Sequence, residues 1–153
     1  MNNYQISLVP SVQVKIKLFD PTLPLPQYQS SGAAGFDLYS RVNLEIPAHT
    51  TQIIPLNIAL EVPNEYWILI AARSSLHKRG LHLANNVGVG DPDYCGDQDE
   101  YQLILHNSSD QSVKIIKGER LAQAIIMPRI LADFEQVTSL TSPNRGGIGS
   151  TGK

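Results

Sequence analysis

The sequence holds one cysteine, Cys95, in 153 residues. No intrachain disulfide can form, which suits a reducing compartment. Charge is scarce and balanced: charged residues make up 17% of the chain and the formal net charge is −2. No basic footprint for a nucleic acid or an anionic membrane surface follows from such a balance, so direct binding to either is not expected. Long hydrophobic runs are missing too. The longest, Trp67 to Ala72, is far shorter than the ~20 residues of a membrane-spanning helix. The opening Met1–Gln5 shows no basic region leading into an apolar run, so a soluble, cytoplasmic protein is expected. The four histidines, His49, His77, His82 and His106, have no metal-ligand spacing and Cys95 has no cysteine partner, so no zinc site is expected.

What remains is an ordinary apolar fraction, 42%, in a chain of single-domain length that can bury roughly 70% of its unfolded surface. Its patterning is that of strands. Val12, Val14, Ile16 and Leu18 alternate with polar residues at the period of a half-buried strand. Pro21, Pro24 and Pro26 force an extended connection. Strands are expected at Gly35–Tyr39 and Val42–Ile46, over Ile53–Val62 with an interruption at Pro55, and at Tyr66–Ala71, which reads as buried on both faces. Leu81–Val89, Tyr101–Leu105 and Val113–Ile116 complete the set. Leu121–Met127 fits strand or helix by periodicity, and its isoleucine pair and the stop at Pro128 favour strand. Ser74–Arg79 is the best helix candidate, six to eight residues at most, capped by Ser74 or Ser75 and closed by Gly80. Many short strands and turns point to an all-β barrel-like or sandwich fold. Residues 1–140 form the expected β domain. Residues 141–153, rich in Ser, Asn and Gly, form a flexible C-terminal tail.

Five runs carry the chemistry: Ala34–Leu38, Ala72–Leu76, Gly88–Tyr94, Gly118–Gln123 and Gly146–Gly152. The tail offers the guanidinium of Arg145, the hydroxyls of Ser150 and Thr151, and glycines that let amides approach an anion, groups suited to wrapping a phosphate or merely to a solvated terminus. Arg73, Ser74 and Ser75 fit a phosphate at a helix start, or a plain cap. Asp91, in a turn, is either a solvated carboxylate or a general base for water. Tyr94 is a packing aromatic or a platform for a sugar. Asp37 is a turn residue or a carboxylate that meets Mg²⁺ through water. Gln123, inside an apolar run, needs a polar partner, either backbone or phosphate.

Together, in this order and spacing, the runs resemble the five motifs of the trimeric dUTPases. The opening Val14–Lys17, Leu23–Pro26 and Ser31–Gly35 resembles that family as well, so the likeness spans Val12 to Gly152. It implies a dUTPase-like distorted β-barrel (a β-clip) with one short helix, assembled as a homotrimer that exchanges C-terminal tails. It also implies hydrolysis of dUTP to dUMP and pyrophosphate with Mg²⁺ as cofactor, by water attack on the α-phosphorus. By resemblance, Asp91 activates the water, and Asn85 with the backbone of Asn86–Gly90, Gly88 included, reads the uracil edge. Tyr94 lies under the deoxyribose, and Arg73, Ser74, Ser75 and Gln123 hold phosphates. Asp37 meets the metal indirectly. Arg145, Ile148, Gly149, Ser150 and Thr151 close over the site.

The chain departs from the family pattern in three places. Ile148 stands where an aromatic usually stacks on uracil. Arg145 lies two positions later than the usual tail arginine. The segment Gly96–Glu100 is about three residues longer than the commonest pattern, and its acidic residues read most simply as a solvated turn. The related dCTP deaminases also carry an Arg-Ser-Ser run, but they place a catalytic glutamate where this chain has Ile104. A non-catalytic protein that keeps the fold is the rival from another class.

Overall fold

The structure, a computed structural model, describes residues 10–147. Eleven strands follow one another: β1 (Lys15–Leu18), β2 (Phe36–Tyr39), β3 (Leu44–Ile46), β4 (Thr51–Pro55), β5 (Ile58–Glu61), β6 (Tyr66–Ala72), β7 (Leu81–Leu83), β8 (Gly88–Gly90), β9 (Gln102–Asn107), β10 (Val113–Ile115) and β11 (Arg120–Pro128). One turn of 3-10 helix, Leu76–Arg79, is the only helix among the described residues. A four-stranded sheet runs β2-β11-β6-β8, a three-stranded sheet β4-β9-β7, and the pairs β1-β5 and β3-β10 complete an all-antiparallel distorted barrel. Leu38, Ile46, Ile54, Leu56, Ile68 and Leu121 are fully buried between these sheets.

The ambiguous apolar run near the C-terminus is the central strand β11. It pairs with β2 on one side and β6 on the other, and buries Leu121, Ala122 and Ala124. Neighbour β6 was expected to be covered on both faces. Ile68 and Ile70 are buried, while Trp67, Leu69 and Ala71 are half-exposed, because one chain supplies a core on one face only. The expected long strand over Ile53–Val62 is two strands in different sheets. Pro55 ends β4, and Asn57 takes φ 70°, a left-handed conformation that asparagine tolerates. The buried Asn57 amide accepts from Asp20 N at 2.7 Å and donates to Asp20 O at 3.2 Å, and these bonds hold the corner.

The helix is shorter than expected. It begins after Ser75, whose hydroxyl makes no capping bond, and it closes at Gly80 with φ 69° as the glycine suggests. The expected strand Leu81–Val89 turns at Asn86 (φ 62°) into β7 and β8. Strand β8 lies on β6 with Gly90 level with Ile68. A Cβ at Gly90 would fall 2.6 Å from Cε1 of Tyr101, a residue that is 4% exposed. Gly90→Ala is therefore expected to destabilise the fold by roughly 1–3 kcal/mol, the usual cost of overpacking, read as a lower denaturant midpoint.

The last strand ends at Pro128, so residues 129–140, expected to belong to the β domain, already lie outside regular structure. Ile130, Leu131, Phe134 and Leu140 stand there in the open, Phe134 at 92%. Among the described residues no helix is long and apolar enough to cross a membrane.

Candidate active site

Three strands bring one carboxylate and two guanidiniums together. Gln123 of β11 is level with Asp37 on β2 and Ala71 on β6. Arg120 and Gln123 are three residues apart, so a regular strand would point them to opposite faces. The β11–β2 register shifts between Arg120 and Ala122, and such a bulge returns both side chains to one face. Asp37 is 1% exposed. Its Oδ1 lies 3.1 Å from Arg73 Nε, and its Oδ2 accepts from Arg120 Nη1 at 3.0 Å. Gln123 Nε2 sits at 3.5 Å from Oδ1. One negative charge against two positive ones leaves the cluster cationic, and burial of the carboxylate fixes where the guanidiniums stand.

These arginines face a cleft of about 830 Å³, lined also by Tyr39, Ser75, Arg79 and Glu119. Its size suits a small polyanionic ligand. Arg79 is tied down by the Glu119 carboxylate and the Lys114 carbonyl. Ser74 and Ser75 are exposed beside Arg73 at the mouth of the 3-10 helix.

Asn85 and Asn86 lie exposed at the turn between β7 and β8, and Gly88 is half-buried on β8. Asp91 follows β8, exposed, and its carbonyl accepts the Tyr94 N–H at 3.1 Å. The Tyr94 ring, 40% exposed, meets Tyr101 edge-on at 5.4 Å between centroids. Its hydroxyl donates to the Glu100 carbonyl at 3.0 Å. Burial and the nearby Asp99 and Glu100 push the Tyr94 phenol above its ordinary range, so it stays a neutral donor.

The Tyr101 phenol is pushed up further, from its ordinary 10 to about 12, first by burial and then by the neighbouring Tyr94 and Asp91. A raised folded value means stability that is complete below the unfolded value and lost as pH rises. Unfolding free energy is therefore expected to fall by roughly 2–3 kcal/mol as pH climbs from ~10 to ~12. Tyr101→Phe should flatten that alkaline limb in denaturant melts.

Strand register sets the distance between the arginine cluster and Asp91. Asp91 comes one residue after Gly90, which faces Ile68, so it stands level with Trp67. Arg73 comes six residues after Trp67 on the same strand line, a separation of roughly 20 Å. Within one chain, the carboxylate of Asp91 and the cationic cluster stand at opposite ends of β6.

Comparison with known proteins gives the family. The sequence model of the dUTPase family matches residues 22–152. A protein of Nautilia profundicola named deoxyuridine 5'-triphosphate nucleotidohydrolase is 37% identical over 145 residues, covering 93% of this chain and all of that one. The chain belongs to the dUTPase family. A relative of the same name from Gamma-proteobacterium EBAC31A08 is 41% identical over 136 residues, 85% of this chain and 96% of that one. The crystal structure of dUTPase from Streptococcus mutans superposes with a TM-score of 0.71 at 30% identity, over 78% of this chain and 98% of that chain. A dUTPase of Staphylococcus bacteriophage 80alpha, bound to dUpNHpp, shares the fold with a TM-score of 0.80 at 22% identity over 92% and 98% of the two chains.

Within this dUTPase fold, the structure groups Asp37, Arg73, Ser74, Ser75 and Gln123, and groups Asp91 with Tyr94 at a distance. Arg145 is exposed in a segment without helix or strand, and Ile148, Gly149, Ser150 and Thr151 lie outside the described residues. Sequence reasoning missed Arg120, although a charged residue opening an apolar strand beside Gln123 was a usable signal. It also missed Glu100. That residue is buried rather than part of a solvated turn, and it binds Arg41 through both carboxylate oxygens at 2.7 and 2.8 Å. Among the described residues no three carboxylates, histidines or cysteines gather as a metal cage. Both oxygens of Asp37 face guanidiniums, so the donor set suits a hydrated cation carried in by a polyphosphate, not a resident ion.

Proposed function

We propose that this chain hydrolyses dUTP to dUMP and pyrophosphate, at sites built between copies of the chain in a homotrimer. The carrying observation is the cationic Asp37–Arg73–Arg120 cluster with exposed serines beside it, set far from Asp91 in the same chain. Arg73, Ser74, Ser75 and Gln123 hold the triphosphate through charge-assisted hydrogen bonds. A second copy brings its Asn85–Gly90 hairpin, whose backbone takes the uracil edge and leaves no room for the methyl of thymine. Tyr94 of that copy carries the deoxyribose.

Asp91 accepts a proton from water as the water oxygen attacks the α-phosphorus. The bond from that phosphorus to the bridging oxygen of the β-phosphate breaks, and pyrophosphate leaves. Asp37 would hold Mg²⁺ through water, and the ion would supply positive charge to the phosphate oxygens. Residues 141–153 close as a tail over the ligand. Arg145, Ser150 and Thr151 approach the outer phosphates, Gly149 lets the backbone come near, and Ile148 gives apolar cover to the base. Apolar surface left bare on residues 130–140 and on Val87 and Val89 supports burial against further copies. In the cytoplasm such an activity keeps uracil out of DNA and supplies dUMP for dTMP synthesis.

Chromatography of products from dUTP, dCTP, dTTP and UTP, each with Mg²⁺ or chelator, tests the reading. Metal-dependent conversion of dUTP to dUMP and pyrophosphate is expected. Release of ammonia from dCTP would replace it with deamination, and dUTP binding without turnover would replace it with a regulatory role.

A further inference from the structure

The long segment after Tyr94 does more than turn the chain. Tyr94 reaches six residues ahead, and its hydroxyl donates to the backbone carbonyl of Glu100. That carbonyl belongs to the best-anchored residue of the segment. Glu100 is 7% exposed. Its Oε1 accepts from Arg41 Nε at 2.7 Å and from the backbone N–H of Asn57 at 2.9 Å, while Oε2 accepts from Arg41 Nη2 at 2.8 Å. Asn57 cannot drift, because its left-handed corner is locked to Asp20 in both directions. The next residue, Tyr101, is pinned by its own N–H to the Ile58 carbonyl at 2.8 Å. The other acidic residues of the segment behave differently: Asp97 is exposed and Asp99 closes a local turn to Gly96 N.

We propose that Glu100 is a positioning residue for Tyr94 and through it sets discrimination against the ribose 2′-hydroxyl. The proposal rests on the reading of Tyr94 as the platform under the sugar. Two contacts define that platform, the hydroxyl on the Glu100 carbonyl and the edge-on contact with Tyr101. The first is the anchor farthest from the chain, so it fixes the tilt and height of the ring. Exclusion of a 2′-hydroxyl is steric, and close-packed contacts lose or gain much of their energy within half an ångström. A ring free to tilt would admit the larger sugar while still lying under the smaller one. Because the phenol of Tyr94 is held neutral by its surroundings, the hydroxyl donates throughout the physiological range.

The test measures kcat and KM for dUTP and UTP in Tyr94→Phe, Glu100→Ala, Glu100→Gln and Tyr94→Ala. Tyr94→Phe deletes the donor and leaves the ring, with no buried charge exposed. It should raise UTP efficiency relative to dUTP by about 5-fold, the scale of one lost hydrogen bond. The KM for dUTP should rise while kcat stays within about 2-fold. Glu100→Ala should shift the ratio the same way, and Glu100→Gln, which can still accept from Asn57 N, should restore most of it. The double variant Tyr94→Phe/Glu100→Ala should exceed neither single change by much, because both act through one contact. If Tyr94→Ala alters the ratio while Tyr94→Phe leaves it unchanged, Tyr94 carries the sugar without help from Glu100 and the proposal falls alone. An unchanged ratio in Tyr94→Ala would overturn the platform reading, and the proposal with it.

Discussion

Asp91→Asn is expected to lower kcat for dUTP by about 10²–10⁴-fold, the usual contribution of a general base. The KM should change little. Asparagine keeps the size of the side chain and can still orient a water, but it cannot take the proton that the attacking oxygen must lose. Asp91 is exposed at the end of β8, so the change leaves no cavity and no buried group without a partner. Thermal melting should therefore stay at the parent value. In the proposed reading the triphosphate is held elsewhere, by the Arg73 cluster, so calorimetric binding of a non-hydrolysable dUTP analogue should persist. Turnover within a few-fold of the parent would remove Asp91 from the reaction and send the search to another proton acceptor.

Mixing two inactive variants should restore activity. Arg73→Ala removes a proposed phosphate donor and is expected to cost on the order of 10²–10³-fold, as for loss of one preorganised charge-stabilising group. Arg120 still pairs with Asp37 in that variant, so the buried carboxylate is not left alone. Alone, neither Arg73→Ala nor Asp91→Asn has an intact site. If each site takes its phosphate cluster from one copy and its Asp91 from another, trimers assembled at random from the two hold both intact halves at one site in four. Denaturation and refolding of an equal mixture should then return about a quarter of parent activity. The roughly 20 Å between the two halves along β6 is the reason to expect it. A mixture as inactive as its components would place the whole site within a single chain, against the register of the sheet.

Single side chains show how far sequence reading reached. Gly80 was read as a helix stop and has φ 69° in that place, because a left-handed closing residue is a local demand that one residue type satisfies. The run Leu121–Met127 favours strand by its isoleucine pair and Pro128, and it lies inside the four-stranded sheet. Asn57 carries no such local signal. Its left-handed corner splits the expected strand into β4 and β5, and it is held by Asp20, thirty-seven residues away. By sequence Glu100 groups with its acidic neighbours as a solvated turn. Its partner Arg41 is fifty-nine residues away, and no period or spacing announces a pair so far apart.

The sequence by itself determined the family, the β character and the types of residue at the site. Alternation, turn residues and short motifs are local properties, written within a few positions of one another. Tertiary structure alone decided which of those residues meet. A bulge at Leu121 turns Arg120 onto Asp37 beside Arg73, and the pairing of β6 with β8 carries Asp91 to the far end of the strand. Both outcomes depend on register, where one residue of slip changes the face of every side chain that follows. Register is set by packing of the whole barrel, and that is why the separation of Asp91 from the arginine cluster became visible only in the folded chain.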